Sequence, residues 1–293
     1  MDSLIGLESH YNKIEVLPLA GSLGAEIRGV DLSTPLDDDT RQEIMDAFRD
    51  YLVIYFPDQD ITHAQHVAFA GLFGPVINLP QIFNVPDCPQ LQEVKRGADD
   101  RGGVTGESWH TDSSFLPKPP RCIVMRAIEV PPYGGDTLFA NLYLAYESLS
   151  GKMKEVLGGL NAVHSATKLF GSNQQERAKT RGYELPEGIL DQGDKETIHP
   201  VICTHPVSGK KFIYVNTIFT QRFEGMTEAE SAPILQFLYA HCAKLEHSCR
   251  VRWRKNQLLI WDNRATYHKA IPDYDGFARY LVRATIEGDA PAA

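Results

Sequence analysis

A histidine and a carboxylate lie two residues apart in the segment ESWHTDSSF, at His110 and Asp112. On a β-strand, residues i and i+2 point to the same face, so these two side chains could bind one metal ion. An H-x-D pair alone is a weak signal, because such pairs also occur as ordinary polar residues. It gains weight from LLIWDNRATYHKA, where His268 follows a buried strand and a turn. Two imidazoles and one carboxylate on one face of a metal leave three coordination positions open, as in non-haem iron(II) oxygenases.

Two arginines stand in the otherwise apolar C-terminal segment ARYLVRATI. With a period of two, Arg279, Leu281, Arg283 and Thr285 share one face of the predicted strand, and the opposite face is hydrophobic packing. Burying a guanidinium group is costly unless an anion pairs with it. The arginines therefore either reach water or an acidic side chain, or bracket a small dicarboxylate. A 2-oxo acid could chelate two open metal positions and leave the third to dioxygen, which a closed four-ligand site would not allow.

The elements that must position these residues are mostly strands. Strand patterns occur in IEVLPL, LVIYF, RCIVMRAIEV, TLFAN, NAVHSAT, SCRVRW, LLIWD and ARYLVRATI, with a hairpin around Ser208 and Gly209. Helical patterns occur in DDDTRQEIMDAFRDY, THAQHVAFAGLFG, YESLSGKMKEVLGGL and TEAESAPILQFLYAHCAKL, the last with a capping box from Thr227 to Glu230. Together, these strand and helix patterns predict a mainly β fold with added helices and an antiparallel jelly-roll core.

A single domain over residues 1–293 is predicted. Its N-terminal part, 1–85, mixes strands and helices, and the jelly-roll core spans about 86–293. The polar segment 171–198 is an insertion that is either a lid or disordered.

Composition excludes several classes of function. The hydrophobic fraction of 43% is typical of globular proteins, and the net charge of −9 argues against non-specific nucleic-acid binding. No apolar run approaches the roughly 18 residues of a membrane span, and no basic region precedes an apolar run as in a signal peptide. Five cysteines without a C-x-x-C motif argue against a disulfide framework or a structural zinc site. We therefore expect a cytoplasmic protein that binds neither membrane nor nucleic acid.

Four motifs together carry a family resemblance: WHTDSSF, GGDTLFAN, WDNRATYH and ARYLVRATI. The chain resembles the iron(II)- and 2-oxoglutarate-dependent dioxygenases related to taurine dioxygenase and 2,4-dichlorophenoxyacetate dioxygenase, from GSLGAEIRGVDLSTPLDD to VRATI. The segments LGAEIRGVDL, VHSAT, EGMTEAES, LQFLYAH and CRVRW are most similar to the (R)-phenoxypropionate (dichlorprop-type) dioxygenases. The resemblance implies a cupin-like double-stranded β-helix, with iron(II), 2-oxoglutarate and dioxygen as cofactors and ascorbate as an in vitro reductant. We also expect a homo-oligomer, either a dimer or a tetramer.

The resemblance also implies roles for individual residues. His110, Asp112 and His268 would ligate the iron. Thr137, in the GGDT motif, and Arg279 would hold the distal carboxylate of 2-oxoglutarate. The implied reaction decarboxylates 2-oxoglutarate to succinate and CO₂ and hydroxylates a substrate C–H bond. Where the hydroxylated carbon bears an ether or a sulfonate, the product breaks down to a phenol, or to sulfite and an aldehyde.

Arg283 and Ser113 are implied on the substrate side of the site. Arg283 would lie near the iron-chelating carboxylate and an anionic substrate group, and the backbone N–H of Ser113 could meet the substrate. The chain departs from taurine dioxygenase in two ways: the substrate-binding histidine ahead of H-x-D is absent, and Gly106 stands where an asparagine is expected. The corresponding stretch instead offers apolar side chains, namely Ile77, Leu79, Ile82 and Phe83. These changes favour a small anionic substrate with an apolar body, such as an aryloxyalkanoic acid.

Three alternatives stay open. The same cofactors could support desaturation, cyclisation or epimerisation of a natural product, because hydrogen-atom abstraction comes first in each. They could also support oxidation of a sulfonate or a sulfate ester. A non-catalytic jelly roll that binds a metal or senses a small acid is the third, and the open metal positions argue against it.

Other polar residues have more ordinary interpretations. His164 either faces the substrate or makes a core hydrogen bond, and His66 packs its helix or lies on the surface. Asp262 and Asn263 shape the turn before His268. Trp109 and Trp261 support the ligand residues by packing.

Overall fold

The computed structural model describes residues 11–79, 83–100, 104, 106–170 and 195–293. The strands are β1 (Glu15–Pro18), β2 (Ala25–Arg28), β3 (Val53–Phe56), β4 (Val76–Ile77), β5 (Asn84–Val85), β6 (Cys88–Arg96), β7 (Cys122–Glu129), β8 (Thr137–Asn141), β9 (Asn161–His164), β10 (Thr197–Pro200), β11 (Ile202–Thr204), β12 (Lys211–Ile213), β13 (Thr220–Phe223), β14 (Ser248–Val251), β15 (Leu258–Asp262), β16 (Thr266–Ala270) and β17 (Arg279–Ile286). The helices are α1 (Asp38–Tyr51), α2 (His63–Ala70), α3 (Leu142–Glu147), α4 (Gly151–Leu157), α5 (Thr167–Phe170) and α6 (Glu228–Cys242).

Two facing sheets form the core. The larger has the order β1-β2-β3-β15-β7-β17-β6-β5, with β4 beside β17, and the smaller has the order β14-β8-β16. Side chains of β7, β15 and β17 pack against Phe139 of β8 and Val251 of β14 in one buried cluster. Because both sheets contribute to this cluster, the fold is the predicted mainly β jelly roll with added helices.

The strand β17 places the two arginines inside this core. Val282, Ala284 and Ile286 belong to the cluster under α1 and α2, on the outer face of the large sheet. Leu281, between the arginines, belongs to the cluster between the sheets. The predicted alternation of faces is therefore confirmed, and the guanidinium groups point the same way as Leu281.

The structure differs from the predicted elements at several points. The helical patch at 146–160 is two short helices, α3 and α4, and Ser150 caps α4 by accepting a hydrogen bond from the Met153 N–H. The helix predicted to run to Gly74 ends at Ala70 and continues as a 3₁₀ turn, Gly71–Phe73. Sequence reasoning missed β6, which pairs with β17.

The capping box from Thr227 to Glu230 and the hairpin of β11 and β12 are both confirmed. Most of the proposed lid, residues 171–194, and Ile82 lie outside the described residues. Within the described part, no helix is both long and apolar enough to cross a membrane.

Candidate active site

The two histidines of the site lie directly opposite each other. His110 forms an isolated antiparallel bridge with His268 of β16, in which each backbone N–H donates to the other's carbonyl, at 3.0 and 2.9 Å. Their ring centroids are 4.1 Å apart. The Nδ1 atom of His110 is 2.7 Å from the Ser108 carbonyl oxygen, to which it donates, so its Nε2 lone pair is left for a metal.

Asp112 joins the histidines from a turn. The prediction that His110 and Asp112 share one face of a strand was therefore wrong for Asp112, since of these two residues only His110 takes part in a β-bridge. The Oδ1 atom of Asp112 lies 3.3 Å from Nε2 of His110 and 3.7 Å from Nε2 of His268. One ligand atom from each of the three residues lies within 4.8 Å of the others. Two ligands bound at about 2.1 Å and at right angles are roughly 3 Å apart, so a small inward adjustment would complete the site.

The protonation states suit metal binding. Burial, reinforced by neighbouring His110, lowers the pKa of His268 to about 3, so its imidazole is neutral and can donate a lone pair. Burial alone would raise the pKa of Asp112. The charge of Arg283, whose Nη2 is 3.1 Å from Oδ2, and the two imidazoles instead hold that pKa well below its usual range. The site thus presents an ionised carboxylate and a neutral histidine.

A cavity between the sheets extends from these residues to the arginines. It is lined by Val94, Gly106, His110, Asp112, Met125, Thr137, Phe139, Trp253, Trp261, His268, Ala270, Arg279, Leu281 and Arg283. The predicted ligands, Thr137 and both arginines therefore share one cavity. Arg279 and Arg283 are 5% and 6% exposed, and their Nε atoms have no hydrogen-bond partner among the described residues.

Thr137 and Arg279 are both in contact with Trp253. The indole Nε1–H donates to Thr137 Oγ1 at 2.9 Å, and the Arg279 guanidinium lies 5.7 Å from the indole ring centre. The Arg279 guanidinium also lies 5.9 Å from the Tyr274 ring centre. The Thr137 hydroxyl accepts this hydrogen bond and keeps its own O–H as a donor in the cavity that it lines.

The donor set fits iron(II). Two imidazole nitrogens and one carboxylate oxygen converge from one side, as in the facial triad of non-haem iron oxygenases. Buried guanidinium N–H groups without partners in the described residues are the donors that a bound carboxylate would satisfy. The geometry is therefore compatible with both the metal and a chelating 2-oxo acid.

The residues predicted to contact substrate are spread more widely. Ser113 is buried, with a positive φ of 51°, directly after Asp112. Ile77 is half-buried and pairs with Thr285, whereas Leu79 is buried. Phe83 is 67% exposed. None of these described residues lines the cavity that holds the histidines and arginines, and their substrate roles remain predictions.

His164 makes a core hydrogen bond. Its Nδ1 is 3.0 Å from Ser114 Oγ, which also accepts a 2.7 Å bond from Asn216 Nδ2. The ring stacks on Tyr214, with the two ring centres 5.7 Å apart. Of the two interpretations of His164, the structure supports the hydrogen-bonding one.

Sequence reasoning did not predict that Trp253 lines the site. It assigned Asn263 only a role in shaping the turn before His268. Trp253 follows the polar alternation of SCRVRW, and nothing in that pattern shows which sheet face it meets. Asn263 contacts Asp112, which lies 151 positions away in the chain. The packing expected of Trp261 is confirmed, because its ring centre is 5.1 Å from that of His268.

Comparisons with known proteins agree with this geometry. A family model described as "Taurine catabolism dioxygenase TauD, TfdA family" matches residues 15–285. The chain is 34% identical to an alpha-ketoglutarate-dependent sulfate ester dioxygenase of Pseudomonas putida, over 96% of this chain and 92% of that protein. It is 31% identical to an alkylsulfatase of Acinetobacter baylyi, over 97% and 88%. A (S)-phenoxypropionate/alpha-ketoglutarate-dioxygenase of Sphingobium herbicidovorans is 29% identical, over 94% and 95%.

Solved structures give the same family. A taurine dioxygenase from Burkholderia xenovorans has a TM-score of 0.80 and 33% identity, over 96% of this chain and 93% of that chain. The protein AAD-2, solved with Mn(II) and N-oxalylglycine, has a TM-score of 0.81 and 27% identity, over 96% and 100%. The sulfate ester relatives are more similar than the phenoxypropionate enzyme, so the dichlorprop-type likeness is supported only at the level of the family. The chain belongs to the TauD/TfdA family of 2-oxoglutarate-dependent dioxygenases, whose cofactors are iron(II), 2-oxoglutarate and dioxygen.

Proposed function

We propose that this chain oxidises a C–H bond next to an oxygen atom in a small organic anion with an apolar body. His110, Asp112 and His268 bind iron(II), and Thr137 and Arg279 bind the distal carboxylate of 2-oxoglutarate. Arg283 lies near the carboxylate that chelates the metal. The observation that carries this proposal is the convergence of three ligand atoms within 4.8 Å in a cavity that also holds two buried arginines.

The two arginines have different roles in this proposal. Arg283 holds Oδ2 of Asp112, which leaves Oδ1 beside both imidazoles. Arg279 supplies a buried positive charge to the cavity, where a bound carboxylate would exclude water. When bound, iron(II) and dioxygen supply the oxidising chemistry, in which 2-oxoglutarate is converted to succinate and CO₂.

Two substrate classes fit this proposal. Alkyl sulfate esters are favoured by the names of the relatives at 34% and 31% identity. Their hydroxylated product would collapse to an aldehyde and sulfate. Aryloxyalkanoic acids are favoured by the absence of the substrate-binding histidine of taurine dioxygenase ahead of the H-x-D pair. Their product would collapse to a phenol and a 2-oxo acid.

A product screen separates these classes. Purified protein would receive iron(II), 2-oxoglutarate and ascorbate with octyl sulfate, each enantiomer of an aryloxypropionate, or taurine. We expect substrate-stimulated succinate, together with aldehyde and sulfate or with phenol, and little turnover of taurine. Mass spectrometry would also detect a stable product 16 mass units heavier, or a desaturated product lighter by two hydrogen atoms.

Two variants test the site itself. His110→Ala should abolish substrate-stimulated succinate, because it removes a metal ligand. His63→Ala is the matched control, since His63 is half-buried on α2 and does not line the cavity. Full turnover by His110→Ala would make the metal assignment wrong, and taurine turnover equal to that of the best substrate would contradict the apolar substrate class.

A further inference from the structure

Asp112 is held by its surroundings rather than by a β-ladder. The chain leaves its bridge at His110 and enters a turn at Asp112, and Ser113 adopts a left-handed backbone with φ of 51°. A carboxylate on so short a side chain moves with its backbone. The position of the turn therefore decides whether Oδ1 meets the two imidazoles.

The side chain of Asn263 clamps this turn. Its Oδ1 accepts the Asp112 N–H at 2.8 Å, and its Nδ2 donates to the Asp112 carbonyl at 3.0 Å. The same Nδ2 donates to the Pro120 carbonyl at 2.9 Å. Asn263 is fully buried, with 0% exposure, so no water competes for these bonds.

Asn263 is itself anchored to the large sheet. It follows β15 directly, and its backbone N–H donates to the Arg121 carbonyl at 3.0 Å, just ahead of β7. The preceding residue, Asp262, donates its N–H to the Leu52 carbonyl at 2.8 Å and accepts two bonds from the Arg264 side chain. The clamp thus ties the turn of Asp112 to the ends of central strands.

Arg283 competes with the metal for the carboxylate of Asp112. Arg283 Nη2 lies 3.1 Å from Oδ2 of Asp112, so a carboxylate freed from the clamp could turn both oxygens to the guanidinium group. The carboxylate would then leave the point it shares with the imidazoles. Fixing the backbone on both sides of the Asp112 residue opposes that movement.

We infer that Asn263 is a positioning residue that keeps the Asp112 carboxylate directed at the metal and away from full pairing with Arg283. The inference rests on the proposed role of Asp112 as a metal ligand. Loss of groups that orient a ligand typically weakens metal binding by about 10- to 100-fold. We expect a loss of this size in Asn263→Ala.

Cobalt(II) binding to metal-free protein tests this without turnover. Cobalt would be titrated into wild type and Asn263→Ala, and its visible absorption would report both affinity and ligand geometry. We expect affinity about 10- to 100-fold lower and an altered spectrum. The matched control is Asn141→Ala, which removes another buried asparagine that bonds to three backbone groups but does not line the cavity. It should lower thermal stability and leave the cobalt spectrum as in wild type.

Asn263→Asp carries the test if the alanine variant does not fold. The carboxylate keeps the acceptor for the Asp112 N–H and loses both donated bonds, so cobalt affinity should fall in the same direction. Wild-type affinity and spectrum in the Asn263 variants would overturn the inference. Asp112→Ala distinguishes the two claims: if it binds cobalt as wild type does, the proposed metal ligand is wrong and the inference falls with it. If Asp112→Ala loses cobalt and the Asn263 variants do not, only the inference fails.

Discussion

Arg279 and Arg283 share a cavity but differ in their partners. Arg283 faces the Asp112 carboxylate at 3.1 Å. The guanidinium group of Arg279 lies near the rings of both Trp253 and Tyr274, and no ion pair within the described residues includes it. Burial lowers the pKa of the Arg279 guanidinium, which shows how unfavourable its charge is without an anion. A bound dicarboxylate would relieve this, so Arg279 is the stronger candidate for binding one.

Replacing Arg279 with alanine should chiefly raise the KM for 2-oxoglutarate. Removing one partner of a buried ion pair costs about 3–5 kcal/mol, which corresponds to a loss of about 100-fold or more. Steady-state kinetics with varied 2-oxoglutarate would measure this. Arg252→Ala is the control, because Arg252 is exposed nearby and does not line the cavity. An unchanged KM in Arg279→Ala would count against the carboxylate-binding role.

Gly106 gives the first histidine its space. Its φ is +82°, and a Cβ atom built there would lie 3.2 Å from Cε1 of His110. Gly106→Ala should therefore strain the backbone and press on the His110 ring. We expect a stability loss of about 1–2 kcal/mol in chemical denaturation and weaker cobalt binding.

Gly209→Ala is the matched control for Gly106→Ala. Its φ is +68°, but no atom lies within 4 Å of the added Cβ, so it tests backbone strain alone. Both variants should lose stability, and only the Gly106 variant should lose metal affinity. Equal cobalt binding in both would show that Gly106 does not set the position of His110.

At the scale of elements, the site is assembled across the two sheets. The small sheet supplies His268 from β16 and Thr137 from β8, and the large sheet supplies both arginines from β17. Trp253, which follows β14, bridges them by bonding to Thr137 and packing beside Arg279. The spacing between the sheets is therefore linked to the positions of Thr137 and Arg279, which are proposed to bind a carboxylate.

Trp253→Phe separates the two contacts of this bridge. The phenyl ring keeps the packing beside Arg279 and loses the N–H that orients the Thr137 hydroxyl. A net hydrogen bond contributes about 0.5–1.5 kcal/mol, so the KM for 2-oxoglutarate should rise roughly 2- to 10-fold, with kcat nearly unchanged. Thr137→Val should raise the KM for 2-oxoglutarate further than Trp253→Phe does. In the double variant, Trp253→Phe should add little to the KM of Thr137→Val. Fully additive losses would contradict coupling through this bond.

The elements differ in how far sequence could predict them. β17 was predictable because its period-two alternation is local, and Val282 and Leu281 do occupy opposite faces. The turn at Asp112 was not, because the side chain that bonds to its backbone, Asn263, lies 151 positions away in the sequence. The metal-binding residues and the arginines were predicted from their spacing and from a family resemblance, whereas the clamp and the Trp253 bridge join segments that only the fold brings together. Propensity and periodicity carry no information about such contacts between distant segments.

At the scale of the whole molecule, buried histidines couple stability to pH. His66 is fully buried on α2, and its Nε2 lies 3.0 Å from the Val124 carbonyl oxygen of β7, to which it donates. Burial lowers the pKa of His66 to about 4, and burial with neighbouring His199 lowers that of His164 to about 3. The hydrogen bond of His66 is to β7 and not to a predicted metal ligand, so its effect on stability can be measured separately from metal binding.

Stability should fall as the pH drops below about 6.5, the pKa of an unperturbed histidine. Between pH 6.5 and 4 the unfolded chain binds a proton at His66 and the folded chain does not, so acid favours unfolding by up to about 1.4 kcal/mol per pH unit for this group. His66→Gln should make the slope of unfolding free energy against pH shallower by up to that amount, as measured by urea denaturation of the metal-free protein. His63→Gln, on the same helix but only half-buried, is the matched control for losing an imidazole. The slope is the readout because the glutamine also changes core packing at every pH. A slope in His66→Gln as steep as in wild type would mean that this buried imidazole does not couple folding to protons.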